Sequence, residues 1–407
     1  MIGEKNTPFK ICSDYLKDRT ILKVPKFGMV AFGIWRIKLP YSLNVRTMYF
    51  LYSAFVHCYV LLLIISMILW VVHTFKQENR SDEINNKLIT NSFYIVGIVV
   101  VLIKAIFCEK KSIQQTISFV EEKEKALIIA KNTEIFKTHF KQTRLYETVN
   151  ALLVIFHLGL LAFMLWDNSI ARSEVDRWNK IHNTSSRLPV IYELYIPKMN
   201  PAKHEMLIVF LGYFGGVLII LLSTCTLIIM GLILFIPTLE IALQIELRKP
   251  HSTDYEMKNL VRQHRQLIWF VENLNNSVKY MILLEYITIS INAALSAFQI
   301  LKTDSFLERF GILCYFSYFI SYVFVLGYSA NEVRKQSEAI AYAIYESPWY
   351  DQSQKVKTAL LIMMARAQKP LLITRGPFGE MSIQSSLTVL KATYTYVTLM
   401  TQKYHIK

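Results

Sequence analysis

The stretch MYFLYSAFVHCYVLLLIISMILWVVHTF, residues 48–75, contains no Asp, Glu, Lys or Arg. A hydrocarbon core about 30 Å thick is crossed by about 20 apolar residues in a helix, so this stretch is long enough to span a bilayer. Five more of the same kind follow at roughly 88–108, 146–166, 206–238, 280–301 and 310–330. A seventh, at roughly 382–402, is interrupted by Ser382, Gln384, Ser385, Ser386, Thr388, Lys391, Thr393, Thr395, Thr398, Thr401 and Gln402. A helix that polar cannot face lipid all round. Over the 407 residues 53% are hydrophobic and 18% charged, which excludes an ordinary soluble domain. The fold class expected is all-α, a seven-transmembrane-helix membrane protein. The first 47 residues hold no short apolar run with a small-residue cleavage site, so the first span is expected to direct insertion itself.

Charge orients the spans. Segments 1–47, 109–145, 239–277 and 331–381 together hold 29 Lys and Arg, whereas 76–87, 167–204, 303–307 and 403–407 hold 11. Positively charged loops stay inside, which predicts a cytoplasmic N-terminus and an extracellular C-terminus. The net charge of +15 is therefore read as topology and not as a nucleic-acid surface, since the basic residues are scattered between apolar spans. Glycosylation is expected at Asn79 and Asn183, whose triplets fall in outer loops, and not at Asn275, which falls inside. Cys12, Cys58, Cys108, Cys225 and Cys314 lie in the first segment or in apolar runs, away from any loop suited to an extracellular disulfide.

The chain divides into a cytoplasmic segment 1–47, six spans over 48–330, intracellular helices over 331–381, and a last helix with an outer tail over 382–407. Within 112–145, 239–277 and 332–370 apolar residues such as Ile113, Ile117 and Val120, or Ala339, Ile340, Ala343 and Ile344, keep helical spacing among many charges. An intracellular helical layer is expected there.

Enzyme chemistry finds no support. No histidine pair stands at i, i+4, no Cys and His share zinc spacing, and no phosphate-binding loop or nucleophile elbow is present. Ionisable residues within spans are Lys104, Glu147, His157, Glu285 and Lys391. Lys104 and Glu147 sit near inner ends, where they can snorkel to the interface. His157 reads as a packing residue, and Glu285 and Lys391 either line water or pair with one another. The sixth span places Tyr315, Tyr318, Phe319 and Tyr322 at i, i+3, i+4 and i+7, on one face. Such a face suits a small, mostly apolar ligand, and it equally suits ordinary helix packing. As a pocket it would be closed by Phe93, Tyr94 and Gly97 of the second span, Phe156, Gly159 and Phe163 of the third, and Tyr213, Phe214 and Gly216 of the fourth.

Asn331-Glu332-Val333, Ser337-Glu338, Pro348-Trp349-Tyr350, Arg366-Ala367-Gln368-Lys369-Pro370, Gly376-Pro377-Phe378 and Thr395-Tyr396 before Gln402 together resemble the signature of insect odorant receptors. The related gustatory receptors close on Thr-Tyr, five residues and Gln-Phe; here Lys403 replaces the Phe, and the Arg-Ala-Gln-Lys-Pro run favours the odorant branch. The chain lacks the long second cytoplasmic loop of the shared co-receptor and so resembles the ligand-tuned subunit.

The resemblance implies a ligand-gated, non-selective cation channel passing monovalent and divalent cations. Four subunits, including co-receptor, would surround a central pore in the plasma membrane of olfactory sensory neurons and bind a small volatile odorant. It also implies that Thr395, Leu399, Gln402 and Lys403 face the pore, with Leu399 closing it by dewetting and the positive Lys403 offset by co-receptor subunits. No cofactor or metal is implied. A G-protein-coupled receptor is the rival of another class, lacking here the Asp-Arg-Tyr and Asn-Pro-x-x-Tyr motifs; a secondary transporter is a further one, disfavoured by the lack of matching half-repeats.

Overall fold

The computed structural model describes residues 21–22, 26, 29–30, 43–77, 82–130, 133–184, 193–195, 224–249, 254–302 and 306–405. Among them the architecture is all-helical, with one isolated bridge between Thr374 and Glu380. The helices are α1 (Leu43–Phe75), α2 (Asp82–Cys108), α3 (Lys111–Ala130), α4 (Thr133–His182), α5 (Thr224–Leu247), α6 (Asp254–Lys302), α7 (Phe306–Glu346), α8 (Gln354–Ala367) and α9 (Ile383–His405).

Each apolar stretch read from the sequence falls on one of these helices, the fourth only in its described part. By length and apolarity four described helices can cross a membrane, over Thr47–Phe75, Leu227–Leu247, Tyr255–Leu301 and Arg309–Glu346, and Tyr94–Cys108 is a shorter apolar stretch. The outer face of α1 leaves Phe50, Leu51, Phe55, Leu62 and Ile65 exposed, a contiguous apolar surface of the kind that lipid covers.

At about 1.5 Å per residue, the 50 residues of α4, 49 of α6 and 41 of α7 are far longer than a bilayer requires. They run unbroken past the apolar spans, so the division expected at 330/331 falls inside α7. The expected stretch 112–145 is instead α3 followed by the start of α4. Below the spans α3 packs on α6: Phe119 stacks on Phe270 at 5.0 Å, Ser277 Oγ donates to Ser112 Oγ at 2.8 Å, and Lys123 Nζ donates to Gln266 at 2.7 Å.

The buried centre is α5, in which Leu227 to Phe235 are enclosed all round, the pattern of a helix with no solvent or lipid face. Helix α7 packs most extensively on α5 and α6, and α9 packs on α6 and α7. Gly231 lies where an added Cβ would stand 2.9 Å from Leu22 and 3.0 Å from the Tyr146 ring, so its lack of a side chain admits both. Ile21, Leu22 and Met29 are buried there. The Ile21 N–H donates to Glu124 Oε1 at 3.0 Å, and the same oxygen lies 3.0 Å from His139 Nε2. Nothing in the local sequence marked His139 and Glu124, which meet across two helices.

The signature motifs lie along the end of α7, the turn from α7 to α8, the connection from α8 to α9, and α9 itself. Trp349 lies in a 3-10 turn and packs against the core. Arg366 pairs with Glu272 of α6 at 3.3 Å. Gly376 has φ +54° and Gly379 φ +90°, backbone that favours glycine, and the Gly376 N–H donates to Lys279 O at 2.9 Å. Asn275 Oδ1 accepts from Thr374 N at 2.8 Å and Thr374 Oγ1 at 3.1 Å. Its side chain is a fixture of this turn, while Asn183 is exposed at the end of α4.

Candidate functional site

The four aromatic residues of α7 do share one face. The rings of Tyr315 and Phe319 meet edge to face at 4.5 Å, and those of Tyr318 and Tyr322 are near-parallel at 6.2 Å. Phe156 of α4 stacks on Tyr318 with centroids 5.1 Å apart and planes inclined by 5°. Tyr94 of α2 packs, partly buried, on the same core as Tyr315 and Tyr318. A Cβ at Gly97 would meet no heavy atom of the described residues within 4 Å, so α2 has room for a substituent there. The ring contacts of the cluster join α4 and α7.

The other expected neighbours fall differently. Gly159 is exposed, and a Cβ there would also meet open space. Phe93 and Phe163 lie on α2 and α4, but their side chains are outside what is described; Tyr213, Phe214, Gly216 and Asn79 lie outside the described residues altogether. On α9 Thr395, Leu399 and Gln402 are exposed, and Lys403 lies one residue further on.

At one end of the aromatic cluster lies a charged pair that the sequence reading assigned otherwise. Lys104 does not snorkel: its Nζ donates to Glu285 Oε1 at 2.6 Å, with both side chains 6% exposed. Tyr322 Oη donates to the same oxygen at 2.7 Å. Lys391 is exposed on α9 and is not the partner of Glu285. A charge cannot reach the interface once its helix face is turned into a bundle, and a buried charge then requires an opposite one. Lys104 and Glu285 are 181 residues apart, so no local signal could pair them.

From this pair a short path leads to α9. Tyr286, next to Glu285, has its hydroxyl 3.4 Å from Ser385 Oγ, and Ser386 Oγ donates to Val323 O at 2.9 Å. Along α9 Thr388, Thr393, Thr395, Thr398 and Thr401 donate to carbonyls one turn back. These bonds satisfy the hydroxyls within the helix and explain how so polar a segment sits beside α6 and α7. Ser385, Ser386, Val389 and Thr393 are buried, whereas Lys391, Tyr394, Thr395, Leu399 and Gln402 are left uncovered.

The sequence profile described as 7tm Odorant receptor matches residues 84–394. The chain belongs to this family. Odorant receptor 10 of Aedes albopictus is 30% identical over 154 residues, 38% of this chain and 41% of that protein. Odorant receptor Or2 of Anopheles gambiae is 29% identical over 150 residues, 37% and 40% of the two chains. The odorant receptor coreceptor of Aedes aegypti is 28% identical over 148 residues, 36% and 31%. The matched part thus spans 41% or less of the length of these curated relatives. Specific odorant receptors and the coreceptor are thus both among the relatives of this odorant receptor family member, the specific receptors Odorant receptor 10 and Or2 at slightly higher identity. The structure of olfactory receptor OR5 from Machilis hrabei in complex with eugenol superposes with a TM-score of 0.73 at 16% identity, covering 96% of this chain and 99% of that one. That likeness establishes the insect olfactory receptor fold. The chain is a multi-pass membrane protein of a non-enzymatic receptor family.

Proposed function

We propose that this odorant receptor family member is the ligand-tuned subunit of a ligand-gated, non-selective cation channel. A small volatile odorant binds among Tyr94, Phe156, Tyr315, Tyr318, Phe319 and Tyr322, in the outer half of the membrane, with the N-terminus cytoplasmic and the C-terminus extracellular. The observation that carries this reading is the aromatic cluster joined by α7 to a helix, α9, with a polar stripe left uncovered by its own chain. Lys391, Thr395 and Gln402 are exposed on a helix embedded in a membrane protein, and polar side chains of that kind face water or protein and not lipid. A four-subunit assembly with a coreceptor around a central pore supplies such a setting, with Thr395, Leu399, Gln402 and Lys403 toward the axis. Monovalent and divalent cations permeate. The site of action is the plasma membrane of olfactory sensory neurons, with Asn79 and Asn183 as glycan acceptors.

Burial of apolar area supplies most of the affinity, and gating follows if the ligand binds the open arrangement more tightly than the closed one. Excised patches from cells expressing the chain with and without a coreceptor, in solution free of GTP and ATP, test this directly. A cation current evoked by odorant, with a ligand profile that depends on this chain, is the expected result; a response that never appears without GTP overturns it.

Two substitutions separate the pocket from the gate. Tyr318→Ala removes the ring between Phe156 and Tyr322, and is expected to raise the half-maximal odorant concentration about tenfold, since one aromatic contact contributes about 0.5–1.5 kcal/mol beyond area burial and 1.4 kcal/mol is a factor of ten. Leu399→Ala thins the apolar ring and is expected to raise the current at rest with little change in odorant sensitivity. An unchanged dose response or an unchanged leak, in variants counted at the surface, refutes the respective assignment.

A further inference from the structure

The geometry points to the Lys104 ammonium as the polar floor of the odorant site, selecting ligands that carry a carbonyl oxygen on an apolar body. This rests on the aromatic cluster being the odorant site.

Lys104 is 5% exposed, and among the described residues it makes one hydrogen bond, to Glu285 Oε1. An ammonium carries three N–H groups, so two find no acceptor among the described residues in a buried setting, where an unmet donor is costly. Glu285 neutralises the charge without meeting those donors. Tyr322 cannot serve a carbonyl, because its hydroxyl hydrogen is already given to the same carboxylate oxygen.

The position of Lys104 relative to Gly97 supports the assignment. Gly97 and Lys104 are seven residues apart on α2 and share a face. A Cβ at Gly97 would meet no heavy atom of the described residues within 4 Å, while Tyr94, one turn earlier, packs on the same core as Tyr315. The room at Gly97 therefore lies about 10 Å along α2 from Lys104, on the same helix face. On α7, Tyr315, Tyr318 and Tyr322 share a face, and Tyr322 is bonded to the partner of Lys104. A ligand chain lying on the rings would carry its oxygen to the ammonium. A carboxylic acid would bring a second negative charge beside Glu285, and an amine would bring a second positive one beside Lys104; both are disfavoured in a low-dielectric site. Neutral ligands with an oxygen acceptor remain, and the two lone pairs of the carbonyl in a ketone, aldehyde or ester suit two ammonium donors without bringing a further donor.

The test is ligand-induced thermal stabilisation of the purified full-length chain with its coreceptor, a binding readout that does not require the channel to conduct. The probes are alkan-2-ones of six to ten carbons and the n-alkanes of equal length. Wild type is expected to bind the best ketone at least about tenfold more tightly than its alkane, the range typical of a site that hydrogen-bonds its ligand.

Lys104→Met combined with Glu285→Gln removes both charges while keeping a carbonyl for Tyr322. This variant is expected to lose the ketone preference and retain the alkane affinity. A preference that survives in the variant, or is absent from wild type, overturns the proposal. Should that variant fail to fold, Lys104→Arg keeps the donors on a longer stem and is expected to move the optimum toward shorter ketones; an unmoved optimum counts against the floor. Tyr318→Ala should weaken ketone and alkane alike. If it weakens neither while the ketone preference persists in wild type, the aromatic site is wrong and the polar recognition stands elsewhere.

Discussion

Glu285→Leu alone is expected to remove the chain from the cell surface. The substitution leaves the Lys104 ammonium, 5% exposed, without the carboxylate that lies 2.6 Å away, and strips the Tyr322 hydroxyl of its acceptor. Removing one member of a buried ion pair typically costs about 3–5 kcal/mol, a large share of the about 5–15 kcal/mol that keeps a domain folded. Because the lost partner joins α2, α6 and α7, the damage falls on three helices at once. Lys104→Met added to Glu285→Leu is expected to return most of the lost stability, since two matched apolar residues carry no uncompensated charge. Melting temperature in detergent and surface labelling check both steps. Glu285→Leu melting like wild type would show that the pair is not closed in the folded protein.

The second large effect is expected at Gly327, where α7 crosses α9. An added Cβ would stand 2.7 Å from the Ser382 carbonyl oxygen and closer still to Ser386 Oγ. The hydroxyl can rotate away, but the backbone carbonyl begins α9 and cannot retreat without moving that helix. Gly327→Ala is therefore expected to pry apart the two helices that connect the proposed odorant site to the exposed face of α9, breaking the Ser386 bond to Val323 O on the way. Overpacking a close crossing costs about 1–3 kcal/mol, enough to shift a balance between closed and open arrangements by about tenfold or more. The expected result is odorant binding close to wild type with evoked current reduced at least about tenfold, compared in ligand stabilisation and patch recording. Equal current would show that α7 and α9 separate in the working channel. The direction of the change in binding further separates coupling from collapse, because a misfolded variant loses both.

Much of this organisation was legible in the residues. Tyr315, Tyr318, Phe319 and Tyr322 share a face because helical periodicity leaves no alternative, and Phe156, one of the expected neighbours, stacks on Tyr318. Gly159, chosen by the same reasoning, lies on the exposed side of α4, because spacing along one helix does not say how that helix is rotated against the next. Lys104 shows the same limit in a costlier form. Its position near the end of an apolar run allowed snorkelling; the rotation of α2 turned it inward, and only then did Glu285 become necessary. His139 and Glu124, with the backbone of Ile21, form a comparable buried contact between segments that hydropathy cannot relate.

Composition and spacing along the chain were enough to show that it is all-helical, where its apolar segments lie and which of them is too polar for lipid. These follow from local composition against a bilayer of known thickness, whatever the neighbours do. The signature residues between Asn331 and Gln402 likewise identified the family without any contact being known. Helix packing in three dimensions was needed to show that α7 continues unbroken to Glu346, that Lys104 and not Lys391 pairs with Glu285, and that a glycine sets the distance between α7 and α9. Each of those depends on the rotation and separation of packed helices, and these are fixed by contacts between residues far apart in the chain.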